Sequence, residues 1–372
     1  REVVVDLGVA DVDGIKSLRN LAISQGSMFV SITATAFTDL FSSAVTAIVP
    51  ATALAVSTNG YTADNIAPQL VNFEFVLAPG TISMTFDEVV DMRTFSPTQI
   101  SLINAQTRST NPDQPAVALS GGTADETDFA KVFTITLKVA DVNAVKSNLA
   151  NLGSTEANTW LIMTANVIKD MAAVDAVNIV DGNAKQAAKV TGDTEAPVLQ
   201  AFELNMNTGK MLLTFSETVP SSTVVATKLV LHDAVVSSTI NFPFTAGSAT
   251  SVSSTVVEFV IVKADLDNIK ELRGLAANIA TTALEVQTGA FKDAANNELV
   301  AGRIAATTTT GYTADTNRPT LDTVEINLND NTLSMTFSET VSGTGTVDVT
   351  AITIRGIEVG GVTPERQLSS SS

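Results

Sequence analysis

The chain carries one pattern three times, and the third copy is divided between its two ends. An Asp-x-x-x-Pro turn occurs at Asp64–Pro68, Asp193–Pro197 and Asp315–Pro319, with proline spacings of 197 − 68 = 129 and 319 − 197 = 122. After each turn comes an alternating run: Phe73, Phe75, Leu77; Phe202, Leu204, Met206; Val324, Ile326, Leu328. A second run follows a short turn: Ile82, Met84, Phe86; Met211, Leu213, Phe215; Leu333, Met335, Phe337. Apolar residues at period two with Thr, Ser and Asn between them describe half-buried antiparallel strands. Each second run ends on a near-identical phrase: Thr85-Phe86-Asp87-Glu88, Thr214-Phe215-Ser216-Glu217 and Thr336-Phe337-Ser338-Glu339.

The back half of the unit also recurs. Its strand reads Val3, Val5, Leu7; Phe133, Ile135, Leu137; Val257, Phe259, Ile261. A short helical turn follows at Ala10-Asp11-Val12, Ala140-Asp141-Val142 and Ala264-Asp265-Leu266, where the Asp is expected to be the N-cap. Lys16, Lys146 and Lys270 stand five residues beyond these acids. Later strands end at Phe37-Thr38-Asp39, Ile168-Lys169-Asp170 and Phe291-Lys292-Asp293. Six to eight short strands and one helical crossover per unit predict an all-β chain of tandem Greek-key β-sandwiches.

The Asp-x-x-x-Pro starts, the strand Leu212-Leu213-Thr214-Phe215-Ser216-Glu217 and the turn Gly289-Ala290-Phe291-Lys292-Asp293-x-x-Asn296-Asn297 resemble tandem immunoglobulin-like repeats of microbial and algal cell-surface proteins and extracellular filaments. The resemblance implies an immunoglobulin-like fold and a surface location. Its motifs are structural and imply no catalytic residues. The Asp39 and Asp170 copies lack the Asn-Asn turn, so those turns are expected to differ.

The order of the pieces gives the organisation: residues 1–66 hold a back half, 67–194 and 195–317 are complete units, and 318–372 hold a front half. Joining the end to the beginning gives (372 − 319) + 68 = 121, which matches the internal spacings. A lone front half leaves Val324, Ile326, Leu328, Leu333, Met335 and Phe337 without a facing sheet. The back-half strand of Val3, Val5 and Leu7 is the element that would cover them. The expectation is self-association, head to tail, by strand addition across a divided sandwich. A longer covalent array cut mid-unit shows the same closure, and intact mass under denaturation separates the two readings.

Composition sets the function class. The chain has 372 residues, no Cys, one His, 21 Lys and Arg, 39 Asp and Glu, and a net charge of −18. Thiolate and His-pair metal sites are excluded, and a phosphate-backbone partner is not expected. No apolar run approaches the ~18 residues of a membrane span. Charged residues are only 16%, so the surface is largely Thr, Ser, Asn and Ala, which suits an extracellular protein whose faces meet neighbours. No catalytic residues and no cofactor are assigned, and an enzyme is not expected.

His232, in Val230-Leu231-His232-Asp233, lacks a Gly-x-Ser-x-Gly elbow and reads as a strand-end or interface histidine. Trp160, Phe73 and Phe75 read as core before carbohydrate stackers. Glu88, Glu217 and Glu339, with Asp64, Asp193 and Asp315, could hold Ca²⁺ at unit junctions, but turn and strand-end roles explain them without a metal. Asp11-Val12-Asp13-Gly14 resembles only a fragment of a calcium loop. Asn-x-Ser/Thr sequons are absent. Hydroxyl runs at Thr307, Thr308, Thr309, Thr310 and at Ser369, Ser370, Ser371, Ser372 are the candidate O-glycosylation positions. The reading is a structural filament or appendage subunit whose partner is itself. The second class is a surface adhesin holding carbohydrate or Ca²⁺ in its loops.

Overall fold

The computed structural model describes residues 2–108, 114–307, 311–342 and 347–369. Apart from α1 (Val9–Ser17), α2 (Val139–Lys146), α3 (Lys263–Glu271) and single 3-10 turns, its regular structure is β. The candidate positions Thr308–Thr310 and Ser370–Ser372 lie outside the described residues.

Period-two alternation decides which side of each hairpin is buried. In the hairpin of Leu70–Val76 and Thr81–Asp91, Phe73 pairs with Met84 and Phe75 with Ile82, and all four are fully buried while Glu74 is exposed. The hairpin of Leu199–Asn205 and Lys210–Phe215 repeats that register, with Phe202 facing Leu213 and Leu204 facing Met211. A register shift interrupts both ladders at the same place, after Leu70 and after Leu199. Each turn needs a left-handed residue before its second strand, supplied by Gly80 (φ 83°) and Gly209 (φ 65°).

Each hairpin sits inside a larger sheet. The first runs, in spatial order, Lys189–Thr191, Leu70–Val76, Thr81–Asp91, Phe129–Leu137 and Gly122–Ala124. The other runs Gly247–Ser251, Val256–Ile261, Lys210–Phe215, Leu199–Asn205 and Tyr312–Thr313, the same order in repeat terms. The outer strands Lys189–Thr191 and Tyr312–Thr313 pair parallel to the first hairpin strand and lead directly into Asp193 and Asp315. A second sheet faces each: Lys185–Gln186, Trp160–Met163, Ile100–Ile103, Ala116–Ala118; and Asn241–Pro243, Leu229–His232, Ala283–Val286, Gly302–Ala305. One core draws on Leu70 to Ala187 and the other on Leu199 to Ala306. Stacked phenylalanines knit the first core (Phe86 and Phe133, 6.0 Å) and edge-to-face ones the second (Phe215 and Phe291, 4.9 Å).

The remaining described residues repeat the local geometry without a buried core of their own. Strands Leu321–Asn327 and Thr332–Phe337 pair in the same register, Val324 with Met335 and Ile326 with Leu333, with the same shift after Leu321. Asn331 supplies the left-handed residue at φ 54°. Among the described residues this hairpin is a sheet of two strands, as is Thr353–Arg355 with Glu365–Gln367. At the other end, Phe29–Val30 pairs, among the described residues, with Leu54–Ala55 alone. The strand expected at Val3, Val5 and Leu7 is not formed: these residues take no regular secondary structure and are exposed. A strand is defined by a hydrogen-bonded neighbour, and their equivalents in the complete units find one in the hairpin's second strand.

A second expectation is corrected at the helices. The N-cap positions are Gly8, Lys138 and Val262, not Asp11, Asp141 and Asp265. Asp141 and Asp265 lie in the first turn and reach sideways. Asp141 Oδ2 accepts from the Ser120 N–H (2.9 Å), and Asp265 accepts from the Thr245 N–H (2.7 Å) and hydroxyl (2.8 Å). These acids tie the helix to the loop that closes the second sheet.

Candidate functional site

The last turn of each helix delivers a lysine to the joint between two units. Lys146 Nζ lies 2.7 Å from Asp193 Oδ2 and bonds Glu217, with its side chain 6% exposed. Lys270 lies 2.8 Å from Asp315 and 2.6 Å from Glu339. Lys16 lies 2.7 Å from Asp64 and bonds Glu88. The helix comes from one unit, the Asp from the connecting segment and the Glu from the end of the next hairpin. One ammonium therefore fastens three consecutive pieces of chain.

A third carboxylate joins the first two clusters. Asp64, Glu88 and Asp170 bring carboxylate oxygens within 4.8 Å of one another, as do Asp193, Glu217 and Asp293. Burial pushes the Glu217 carboxyl up to about 6 against the pull of Lys146, with Asp193 and Asp293 adding to the rise. Burial likewise raises Glu88 and Asp170. Burial alone would lower the lysines, but hydrogen bonds to their two acids hold Lys16, Lys146 and Lys270 above the ordinary value.

The calcium expectation meets this geometry directly. The lysine ammonium occupies the position between Asp and Glu that a cation would take, so these residues fit an internal ammonium better than a divalent ion. Sequence reasoning grouped the right Asp and Glu residues but assigned neither the lysines nor the third acid to them. A signal was present: a lysine at the same spacing in all three copies, in a chain with few cations.

The third acid is held by its own turn. Asp170 Oδ1 accepts from the N–H of Ala172 (2.9 Å) and Val174 (2.7 Å), leaving Oδ2 buried without a hydrogen bond. At Asp293 the Asn-Asn turn changes this, because Asn297 Nδ2 donates to Asp293 Oδ2 (2.8 Å) and to the Asp193 carbonyl (3.2 Å). The two turns differ as the sequence implied.

Both terminal segments present apolar residues to solvent. Val324, Ile326 and Leu328 are 54%, 52% and 79% exposed, and Val3, Val5 and Leu7 are 69%, 65% and 58% exposed. Leu333, Met335 and Phe337 are half-covered by their own hairpin. Ile326, Leu328, Leu333, Met335, Ile354 and Leu368 line an open cleft of about 590 Å³ between the two ladders of this half.

The other candidates take structural positions. His232 is buried at the end of its strand. Its Nδ1 lies 3.0 Å from Ser238 Oγ and its Nε2 3.2 Å from Glu285 Oε2. The sequence Ser238, His232, Glu285 mimics a nucleophile, base and acid. However, the Ser238 hydroxyl directs its proton to Asp233 Oδ1 (2.6 Å), whose two oxygens also bind Thr239, so Ser238 is the hub of its hairpin loop. Burial and the nearby Arg303 guanidinium lower the His232 pKa below its ordinary value. Phe73 and Phe75 are fully buried and offer no face to a sugar, and Trp160 donates its indole N–H to the Ala157 carbonyl (3.0 Å). The Thr307 hydroxyl donates to the Phe202 carbonyl (3.1 Å), whereas Ser369 is exposed. Among the described residues no helix is long and apolar enough to cross a membrane.

No family model matches the chain, and no curated protein matches it. Among solved structures, the N-terminal part of the bacterial S-layer protein SbsC is similar over 65% of this chain and 45% of that one, at 10% identity and a TM-score of 0.20. A likeness at that score carries no argument about fold or function.

Proposed function

We propose that the chain is a structural, non-enzymatic subunit of an extracellular filament or surface appendage, built of immunoglobulin-like sandwiches and joined head to tail through a divided unit. In this reading 67–194 and 195–317 are complete domains, and the 318–372 half of one copy receives the 1–66 half of the next. One observation carries it. The hairpin Leu321–Phe337 has the register and bulge of the two buried hairpins, yet its apolar face is open, and the elements that cover that face elsewhere recur, equally open, in residues 3–55. Burying each such side chain stabilises by roughly 1.5–3 kcal/mol. Glycans on the exposed hydroxyl residue Ser369 belong to the same reading.

The internal repeats fix the expected register. Met211 pairs with Phe259 and Leu213 with Val257, so Leu333 is expected opposite Val5 and Met335 opposite Val3 of a neighbour. Leu231 pairs with Leu284, which sets Ile354 opposite Val30. Since the chain has no cysteine, Ser334→Cys with Val4→Cys is a clean probe of this pairing. Oxidation of the purified double variant is expected to give a ladder of multiples of 38.7 kDa on denaturing, non-reducing gels, with filaments in the micrograph. A cross-link confined to single chains, or a monomer at every concentration, overturns the head-to-tail reading.

A further inference from the structure

Two of the three lysine clusters contain a third carboxylate, and the last one does not. Asp170 and Asp293 come from the back halves of the units whose front halves supply Glu88 and Glu217. For the cluster of Lys270, Asp315 and Glu339, the corresponding back half is residues 1–66, and the corresponding acid is Asp39. Asp39 is exposed at the far end of the chain. We propose that Asp39 of a second copy docks onto Lys270, Asp315 and Glu339, completing a four-group cluster of one ammonium and three carboxylates at the joint between subunits. This rests on the split-unit reading above and names the charged contact within it.

The local geometry of Asp39 is already that of its counterparts. Its Oδ1 accepts from the N–H of Phe41 (2.8 Å) and Ser43 (2.8 Å), and Ser42 has a φ of 65°, matching Ala173 at 69° and Asn296 at 70°. On the receiving side, Glu339 Oε1 is buried and has no hydrogen-bond partner among the described residues of its own copy. Two further contacts split the same way. In the complete units the turn after the acid donates back to the first proline: Val177 N–H to Pro68 (3.0 Å) and Val300 N–H to Pro197 (2.9 Å). The equivalents are Thr46 and Pro319, on opposite halves. Asp141 and Asp265 bind the N–H of Ser120 and Thr245, whose equivalents are Asp11 and the exposed Ser369. A second copy is the one occupant that brings Asp39, Thr46 and Asp11 to all three positions at once.

The charge count gives the joint a direction with pH. Before docking, the cluster sums to −1: Lys270 against Asp315 and Glu339. Asp39 brings it to −2. On its own turn Asp39 has no charged neighbour, since Thr38 and Ala44 stand where the other units pair Lys169 with Asp175 (2.5 Å) and Lys292 with Glu298 (3.3 Å). On the receiving side Arg273, three residues beyond Lys270, donates to Ser342 Oγ (3.3 Å). Three carboxylates sharing one ammonium in a closing interface favour holding a proton, as the raised Glu217 and Glu88 do at the complete joints. Assembly then takes up a proton, and association strengthens as pH falls.

The test is sedimentation of the full chain and of Asp39→Asn between pH 5 and pH 8. Asparagine keeps the Oδ1 acceptor of the turn and removes only the charge. Wild type is expected to assemble at roughly tenfold lower concentration per pH unit on the acid side, the slope for one proton. D39N is expected to match or exceed wild-type assembly at pH 8 and to lose most of that slope. Glu339→Gln, on the receiving side, is expected to lose it as well. If both variants keep the wild-type pH profile, Asp39 is not at the joint and this inference fails while the filament reading stands. If wild type does not assemble at any pH, the filament reading itself fails.

Discussion

Two hairpins in this chain share register, bulge and turn, and differ in one respect. Leu204 in the second complete unit is 1% exposed, and Ile326, its counterpart near the C-terminal end, is 52% exposed. Met206 and Leu328 make the same contrast at 3% and 79%. The hairpin is therefore a local object: alternation, a bulge and one left-handed turn residue are enough to define it. Burial is not local, because it needs the strand near Val257 on one side and the second sheet above. What distinguishes the complete units from the ends is the presence of those partners, not the quality of the hairpin.

The largest expected effect tests that contrast at its centre. Phe259 is fully buried, and Phe259→Ala is expected to destabilise the second complete unit by about 3–5 kcal/mol, read as a lowered denaturant midpoint. The equivalent change at the other end, Val5→Ala, is expected to leave the unfolding of the isolated chain unchanged and to raise the concentration needed for assembly. Equal unfolding losses at the two positions would erase the distinction.

The joints can be compared in the same way. Lys146 is 6% exposed and Lys16 24%, with the same two kinds of acid around each. Lys146→Met leaves Asp193, Glu217 and Asp293 without their cation and is expected to cost about 3–5 kcal/mol at neutral pH. The more hydrated Lys16→Met is expected to cost less in the same melt. An order reversed between the two would mean that burial does not set the strength of these clusters.

The pH dependence sharpens the contrast further. Glu217 is raised to about 6 from an ordinary 4.5, so its contribution to stability is full below pH 4.5 and is lost as pH rises through 6. Asp91 is held well below the usual carboxylate range by the Arg93 guanidinium and then by Arg19, so its contribution is present above pH 4 and lost as pH falls. Glu217→Gln is expected to flatten the thermal-stability profile between pH 4.5 and 6, and Asp91→Asn to flatten it below pH 4. The lysine shifts act only near and above their own ordinary value of 10.5 and leave that window alone. The smallest effect is expected at Lys263, whose i,i+4 pair with Asp267 is solvent-exposed: Lys263→Ala should move stability by under about 0.5 kcal/mol.

The sequence alone carried the repeat, the alternating strands, the placement of the helices and the pairing of acids such as Asp193 with Glu217, because each of these is written in spacing along the chain. It misplaced Asp141 and Asp265 as caps, since an acid in the first turn, three residues past the true N-caps Lys138 and Val262, reads in sequence much like a capping acid. It predicted a strand at Val3, Val5 and Leu7 from alternation, which records a preferred face but not a neighbour. Only the tertiary structure decided that Lys146, Lys270 and Lys16 stand between those acids, because lysine and carboxylates come from three separate pieces of chain. It also decided which inner faces are closed and which are open. Period and propensity are properties of a segment, whereas burial and the pairing of charges belong to the partner brought against it.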